Sequence, residues 1–149
     1  MPETPPRLER VFSTYDPPLW FVTFNTHRRQ KLLANEPVHK SFLAFAREGQ
    51  ERGIAVGRYV IMPDHVHLFV RGGQLFLLSQ WVRMLKRQLW KSISGEAPHW
   101  QAGFFDHLIR HNESYAEKWD YVRENSVRAG LVDSADKWPY QGEITQLPM

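Results

Sequence analysis

Apolar and polar residues recur along the chain with two distinct periods. Leu19–Thr26, LWFVTFNT, is dense in β-branched and aromatic side chains and reads as a strand. Val38, Phe42, Phe45 and Ala46 then recur at helical spacing behind Glu36 and Pro37, a pair suited to a helix start, and this helix should end near Gly53. Ile54–Met62 reads as a second strand and Pro63-Asp64 as a turn. Val66–Arg71 reads as a third strand running back antiparallel to the second, closed by Gly72-Gly73. Gln74–Ile93 carries Leu78, Trp81, Val82, Leu85 and Leu89 on one stripe, the pattern of a long amphipathic helix. After a loop at Ser94–His99, a strand is expected over Phe104–Ile109 and a helix over Ser114–Glu124, with Gly130 ending the segment.

Strands and helices alternate except for one tight hairpin. That order predicts an α+β fold: a mainly antiparallel sheet with helices packed against it, of ferredoxin-like type. Pro2, Pro5, Pro6, Pro17 and Pro18 remove backbone donors and predict an irregular lead-in over 1–18. Residues 19–140 then form a single domain and 141–149 a C-terminal tail, with Trp138-Pro139-Tyr140 expected to pack back on the domain.

Composition narrows the chemistry. A chain of 149 residues is long enough for one real core. It has no cysteine, which excludes disulfides, thiolate catalysis and cysteine-bound zinc. No basic start followed by an apolar stretch opens the chain, and no apolar run approaches the roughly 20 residues that span a bilayer. A cytoplasmic protein without a membrane partner is therefore expected. A net charge of +3 tilts it toward an anionic partner.

The hairpin strand holds an anomaly, His65 and His67 in MPDHVHLFV. Alternation puts both imidazoles on one face, with Cα atoms about 6–7 Å apart, and Val66, Leu68 and Val70 on the other. Such a pair can converge on one ion or belong to a polar patch. Tyr121 and Asn125 lie four apart and share a helix face. They present either a hydroxyl nucleophile beside an amide oxygen, or a core tyrosine and a C-terminal cap. Tyr115 and Trp119, at the same offset, read as packing. Arg83, Lys86, Arg87 and Lys91 form a basic stripe on Gln74–Ile93, which contains no acidic residue. It is a solvated face or a rail for phosphates. His27, Arg28, Arg29 and Lys31 form a second basic cluster. Trp90 and Trp100 are candidates for base stacking, with core packing the alternative role.

Three motifs in order, YVIMPDHVHLFV, WQAGFFDHLIR and DYVRENSVRAGLV, followed by KWPY, resemble the REP-associated tyrosine transposases. These are relatives of the IS200/IS605 transposases in the HUH (His-hydrophobe-His) endonuclease superfamily. The resemblance spans about Leu19 to Tyr140. It implies that His65 and His67 bind a divalent metal ion, Mg²⁺ or Mn²⁺, that Asn125 supplies an amide ligand, and that Tyr121 is the catalytic tyrosine. The implied activity is cleavage and rejoining of single-stranded, hairpin-forming DNA through a covalent 5′-phosphotyrosine. The basic residues Arg28, Arg29, Lys31, Arg83, Lys86, Arg87 and Lys91 are then candidate DNA contacts. Asn125-Ser126 departs from the family's usual Asn-Pro, and serine is expected to let the helix run on or end less sharply. Asp64 reads as the turn residue rather than an orienter of His65. Asp120, His107 and His111 are the nearby candidates to accept the tyrosine proton. A monomer is favoured over a homodimer. Two rival readings stand beside this one: a non-cleaving module that grips structured nucleic acid, and a metal-dependent hydrolase that activates water.

Overall fold

The computed structural model describes residues 17–110 and 114–147, so most of the expected lead-in over 1–18 lies outside the described residues, as does His111. Five strands form one antiparallel sheet: β1 (Leu19–Asn25), β2 (Ala55–Ile61), β3 (His65–Arg71), β4 (Phe105–Ile109) and β5 (Gln141–Glu143), in the order β4-β1-β3-β2-β5. The first four strands, with α1 (Glu36–Gln50) joining β1 to β2 and α2 (Leu78–Trp90) joining β3 to β4, make the two interleaved split β-α-β units of a ferredoxin-like fold. This is the α+β architecture that the element order predicts.

The sheet has two buried faces. Val66, Leu68 and Val70 of β3 join Val22 and Phe24 of β1 in a core covered by α1 and α2, through Val38, Phe42, Trp81, Val82, Leu85 and Leu89. Phe69, on the opposite side of β3, joins Phe21, Val60 and Met62 in a second core. This one is covered by α3 (Tyr115–Arg123), through Tyr115, Trp119 and Val122, and by Trp138 and Leu147. The alternation of β3 therefore turns His65 and His67 toward the α3 layer.

Local chemistry fixes the covering helices. The Asn35 side chain caps α1 by accepting from the Val38 N–H at 3.0 Å, and a proline sits in the first turn. Ser114 caps α3 by accepting from the Glu117 N–H at 3.1 Å, the S-x-x-E capping pattern. α2 starts at Leu78, four residues later than the sequence pattern suggests, because Gly73 to Phe76 closes a turn with a 3.1 Å backbone hydrogen bond. The ring of Phe76 fills the space above Gly72 that a Cβ would occupy.

The C-terminal boundary also differs from expectation. Trp138 packs back as anticipated, its indole donating to the Ile61 carbonyl at 2.9 Å. The domain does not end at Tyr140, however. Gln141–Glu143 pairs with Arg58–Val60 of β2, and Leu147 is buried in the second core. These residues satisfy the outer hydrogen-bonding edge of β2, so they belong to the sheet and not to a separate tail.

Candidate active site

β1 and β3 pair so that Thr23 lies opposite His67 and Asn25 opposite His65. The two imidazole centroids are 4.7 Å apart with planes at 80°. Each ring is held through the same nitrogen. His65 Nδ1 donates to Asp64 Oδ1 at 2.7 Å, and His67 Nδ1 lies 2.7 Å from Thr23 Oγ1. Phe21 stacks on His67 with ring centroids 5.4 Å apart. Anchoring both Nδ1 atoms fixes the ring orientations and leaves each Nε2 available, the arrangement in which an imidazole can bind an ion.

Charge around the pair is mostly positive. Burial lowers the His67 pKa to about 3, helped by the charges of His65, Lys118, Arg128 and Arg29. The ring is therefore neutral at physiological pH, the form that ligates a metal. Burial works against the Asp64 carboxylate, but hydrogen bonds from His65 and Arg29 outweigh it and hold the carboxyl below its ordinary range. Asp64 is thus more than the turn residue that the sequence suggests, since it orients His65. Arg29 Nε donates to Asp64 Oδ2 at 3.0 Å. It arrives there through a left-handed turn, with φ of 55° at Arg28 and 57° at Arg29. Two non-glycine residues in that region cost on the order of 1–3 kcal/mol each. Buried Thr26 ties the turn to the hairpin, its hydroxyl donating to the Gln30 carbonyl at 2.7 Å and its N–H to the Asp64 carbonyl at 2.9 Å. Arg28 and Lys31 of the same basic cluster are exposed.

α3 lies over this face and carries two tyrosines in opposite environments. Tyr115 is buried, and its hydroxyl accepts from the Arg58 N–H at 2.7 Å. That N–H sits in a bulge between Val56 and Tyr59, where the β2–β3 ladder skips a register. Burial raises the Tyr115 pKa to about 12. Tyr121 is 65 % exposed, and its ring lies 4.2 Å from the guanidinium carbon of Arg128. Lys118, one turn earlier on α3, sits 4.9 Å from the Phe21 ring that stacks on His67. Arg128 therefore sits over Tyr121 and Lys118 over Phe21, and the fields of both cations reach His67.

α3 ends within a residue of the Glu124 expected from the sequence. The helix does not run on through Ser126. It ends at Arg123, Glu124 takes φ −80° and ψ 0°, and a separate short turn α4 (Asn125–Arg128) follows. The Asn125 side chain explains the break, because its Nδ2 donates to the Val122 carbonyl at 2.7 Å and satisfies a C-terminal carbonyl of α3. The amide oxygen is the atom left to ligate. Ser126 is fully buried behind it.

Among the described residues no group of three or more His, Cys, Asp and Glu side chains is arranged to hold a metal. The two imidazoles with anchored Nδ1 atoms do suit a divalent ion whose remaining positions are filled by an amide or by substrate oxygens. Of the other candidates near Tyr121, Asp120 is exposed, and His107 lies on β4 across from Phe21, on the same sheet face as the imidazoles.

The basic stripe of α2 lies on the other side of the sheet. Arg83, Arg87 and Lys91 are exposed. Lys86 is committed to the chain itself, its Nζ donating to the Gly103 carbonyl and, at 3.1 Å, to that of Gln101. Thr23 and Arg128 were not legible as site residues, and neither was the pairing of Arg29 with Asp64. Thr23 meets His67 only through the pairing of β1 with β3, two strands far apart in the chain. No helix among the described residues is long and apolar enough to cross a membrane.

Comparison with known proteins bears on the fold and the family. A protein of Haemophilus influenzae bearing the name REP-associated tyrosine transposase is 27 % identical over 136 residues, covering 82 % of this chain and 77 % of its own. The structure of a REP-associated tyrosine transposase bound to a REP hairpin superposes with a TM-score of 0.70 at 23 % identity, over 87 % of this chain and 88 % of the other, which is a likeness of fold. The family model described as IS200-like transposase matches residues 20–123, from β1 through the end of the helix that carries Tyr121, and the chain belongs to that family.

Proposed function

We propose that this transposase cleaves and rejoins single-stranded DNA beside a hairpin, with Tyr121 as nucleophile. The observation that carries the reading is the contrast between the two tyrosines of α3. One hydroxyl is buried and bound to the bulge of β2, and the other is exposed under Arg128 on the layer that faces His65 and His67. A hairpin substrate is also what the solved structural relative holds.

In this reading the Tyr121 oxygen attacks phosphorus as the bond to the 3′-oxygen breaks. The phenolic proton passes to solvent, and the departing 3′-oxygen takes a proton from solvent. The product is a 5′-phosphotyrosine, which keeps the bond energy for joining to a second strand. His65, His67 and Asn125 would hold a divalent ion, Mg²⁺ or Mn²⁺, which when bound neutralises charge on the scissile phosphate. Asp64 and Thr23 keep the imidazoles oriented. Arg128 and Lys118 add positive charge where the DNA backbone arrives. Arg28 and Lys31 extend that charge along the basic loop, while Arg29 secures Asp64.

The test is incubation of the protein with end-labelled hairpin DNA carrying an unpaired flank, in Mn²⁺, followed by a denaturing gel. A protein–DNA adduct is expected from the wild type and absent from Tyr121→Phe. Cleavage without adduct would transfer the chemistry to activated water. Binding without cleavage would leave a recognition module.

A further inference from the structure

We propose that the groove between the outer flank of α2 and Trp100 is a second nucleic-acid site, which takes unpaired nucleotides of a single DNA strand. The proposal rests on the reading of DNA as substrate and adds a place and a mode of recognition to it. The groove has a volume of about 500 Å³ and is lined by Arg83, Lys86, Arg87, Trp90, Lys91 and Trp100. None of these is acidic, and neither is any other residue of α2.

The floor is aromatic and held in place by the chain itself. Trp90 is 44 % exposed, and its ring stands nearly perpendicular to buried His99 with centroids 5.1 Å apart. Trp100 Nε1 donates to the Lys86 carbonyl at 3.0 Å, and its ring meets Phe24 edge-on at 5.2 Å. Lys86 Nζ binds the Gln101 and Gly103 carbonyls and so fastens the Trp100 loop to α2. Arg83, Arg87 and Lys91 remain to face an anion. They recur every four residues, a run of about 12 Å along one helix flank.

Cations in a row beside one exposed and one half-buried indole suit one ligand better than its rivals. A duplex keeps its base faces stacked inside and offers the row only phosphates. An acidic peptide would pair with the cations and leave the indoles without planar partners. Unpaired nucleotides supply both a phosphate and a π-face at each step.

The groove is across the sheet from the candidate active site. α2 packs on the face of β3 that carries Val66, Leu68 and Val70, opposite the face of His65 and His67. The two sites meet at one end of the sheet. There Trp100 bridges Thr26, and the Gln101 side chain reaches Asn25, the strand partner of His65. A strand leaving the groove around that end arrives at the imidazoles.

The experiment measures fluorescence anisotropy of a labelled, non-self-complementary DNA strand of about eight nucleotides, within the range bound by single-strand proteins. The protein is the full chain carrying Tyr121→Phe, so that no adduct can form and the result holds whether or not tyrosine chemistry occurs. Adding Trp90→Ala is expected to weaken single-strand binding about tenfold while leaving a blunt duplex unaffected, and Trp90→Phe to restore most of the loss. Adding Arg83→Gln with Arg87→Gln should flatten the salt dependence by about 0.7 for each phosphate left without its cation. Equal losses for strand and duplex in Trp90→Ala, or no loss, would overturn base stacking. Polyglutamate binding as tightly as the strand at matched ionic strength would make the groove a peptide site instead.

Discussion

The guanidinium carbon of Arg128 lies 4.2 Å from the centre of the Tyr121 ring, although α3 ends between the two residues. Arg128 follows Tyr121 by seven residues, about two helical turns, so the two lie on one face across the kink at Glu124. A cation over an aromatic face is worth about 0.5–2 kcal/mol. Here it holds the ring of an exposed side chain, and in the proposed mechanism it sets positive charge beside the phenol as negative charge passes to phosphorus. Arg128→Met is expected to slow adduct formation by roughly 3–30-fold at saturating DNA. Arg128→Lys should recover part of that rate. Single-turnover gels decide it, and an unchanged rate in Arg128→Met would reduce the contact to packing.

The two tyrosines should separate stability from chemistry. Tyr115→Phe leaves the Arg58 N–H in the β2 bulge without its acceptor. A buried donor stripped of its partner costs about 1–3 kcal/mol. Urea unfolding should show that loss, with adduct formation retained under conditions where the variant is folded. Tyr121→Phe removes only an exposed hydroxyl and keeps the ring under Arg128, so its stability should stay within about 0.5 kcal/mol of wild type while the adduct disappears.

Strand alternation made the histidine anomaly legible, because Val66, Leu68 and Val70 could only face a core and His65 and His67 had to face away from it. The sequence pattern did not show that the far side of β3 is covered as well. The covering residues Tyr115, Trp119 and Trp138 come from segments distant in sequence. The helix end near Glu124 was expected, but what makes it was not. It depends on one side-chain hydrogen bond, from Asn125 to the Val122 carbonyl, and on no glycine or proline. Gln141–Glu143 is too short and polar to read as a strand, and is one only because β2 has an open edge there. The left-handed turn at Arg28-Arg29 has no sequence signature at all. It is imposed by Thr26, and without it Arg29 would not reach Asp64.

Asp64 supplies a test of the metal reading that does not depend on turnover. Its carboxylate holds His65 Nδ1 at 2.7 Å and Arg29 Nε at 3.0 Å. Partners of this kind to ligating histidines typically matter about 10–100-fold in metal affinity. Asp64→Asn should weaken Mn²⁺ binding by that order in calorimetry, and His67→Ala should weaken it further. If Asp64→Asn and wild type bind Mn²⁺ equally, His65 is not a ligand oriented by Asp64.

Acid should destabilise the metal-free protein through His67. Its folded pKa is about 3, against an ordinary histidine value of 6.5. Between those values the unfolded chain binds a proton at this ring and the folded chain does not. Stability is therefore fully present above pH 6.5 and falls as pH drops toward 3, by at most about 1.4 kcal/mol per pH unit for one proton. His39 adds in the same direction, since burial beside Tyr59, followed by the charge of Arg47, lowers its pKa too. Asp64, held below its ordinary range, loses its contribution only at the acid end of that window. Urea midpoints taken in steps from about pH 7 to about pH 4 should fall steadily, and His67→Gln should flatten that slope because the neutral amide has no proton to gain. A variant with the wild-type slope would mean that His67 is already solvated in the folded protein, and the anchored, neutral imidazole on which the metal site depends would be lost with it.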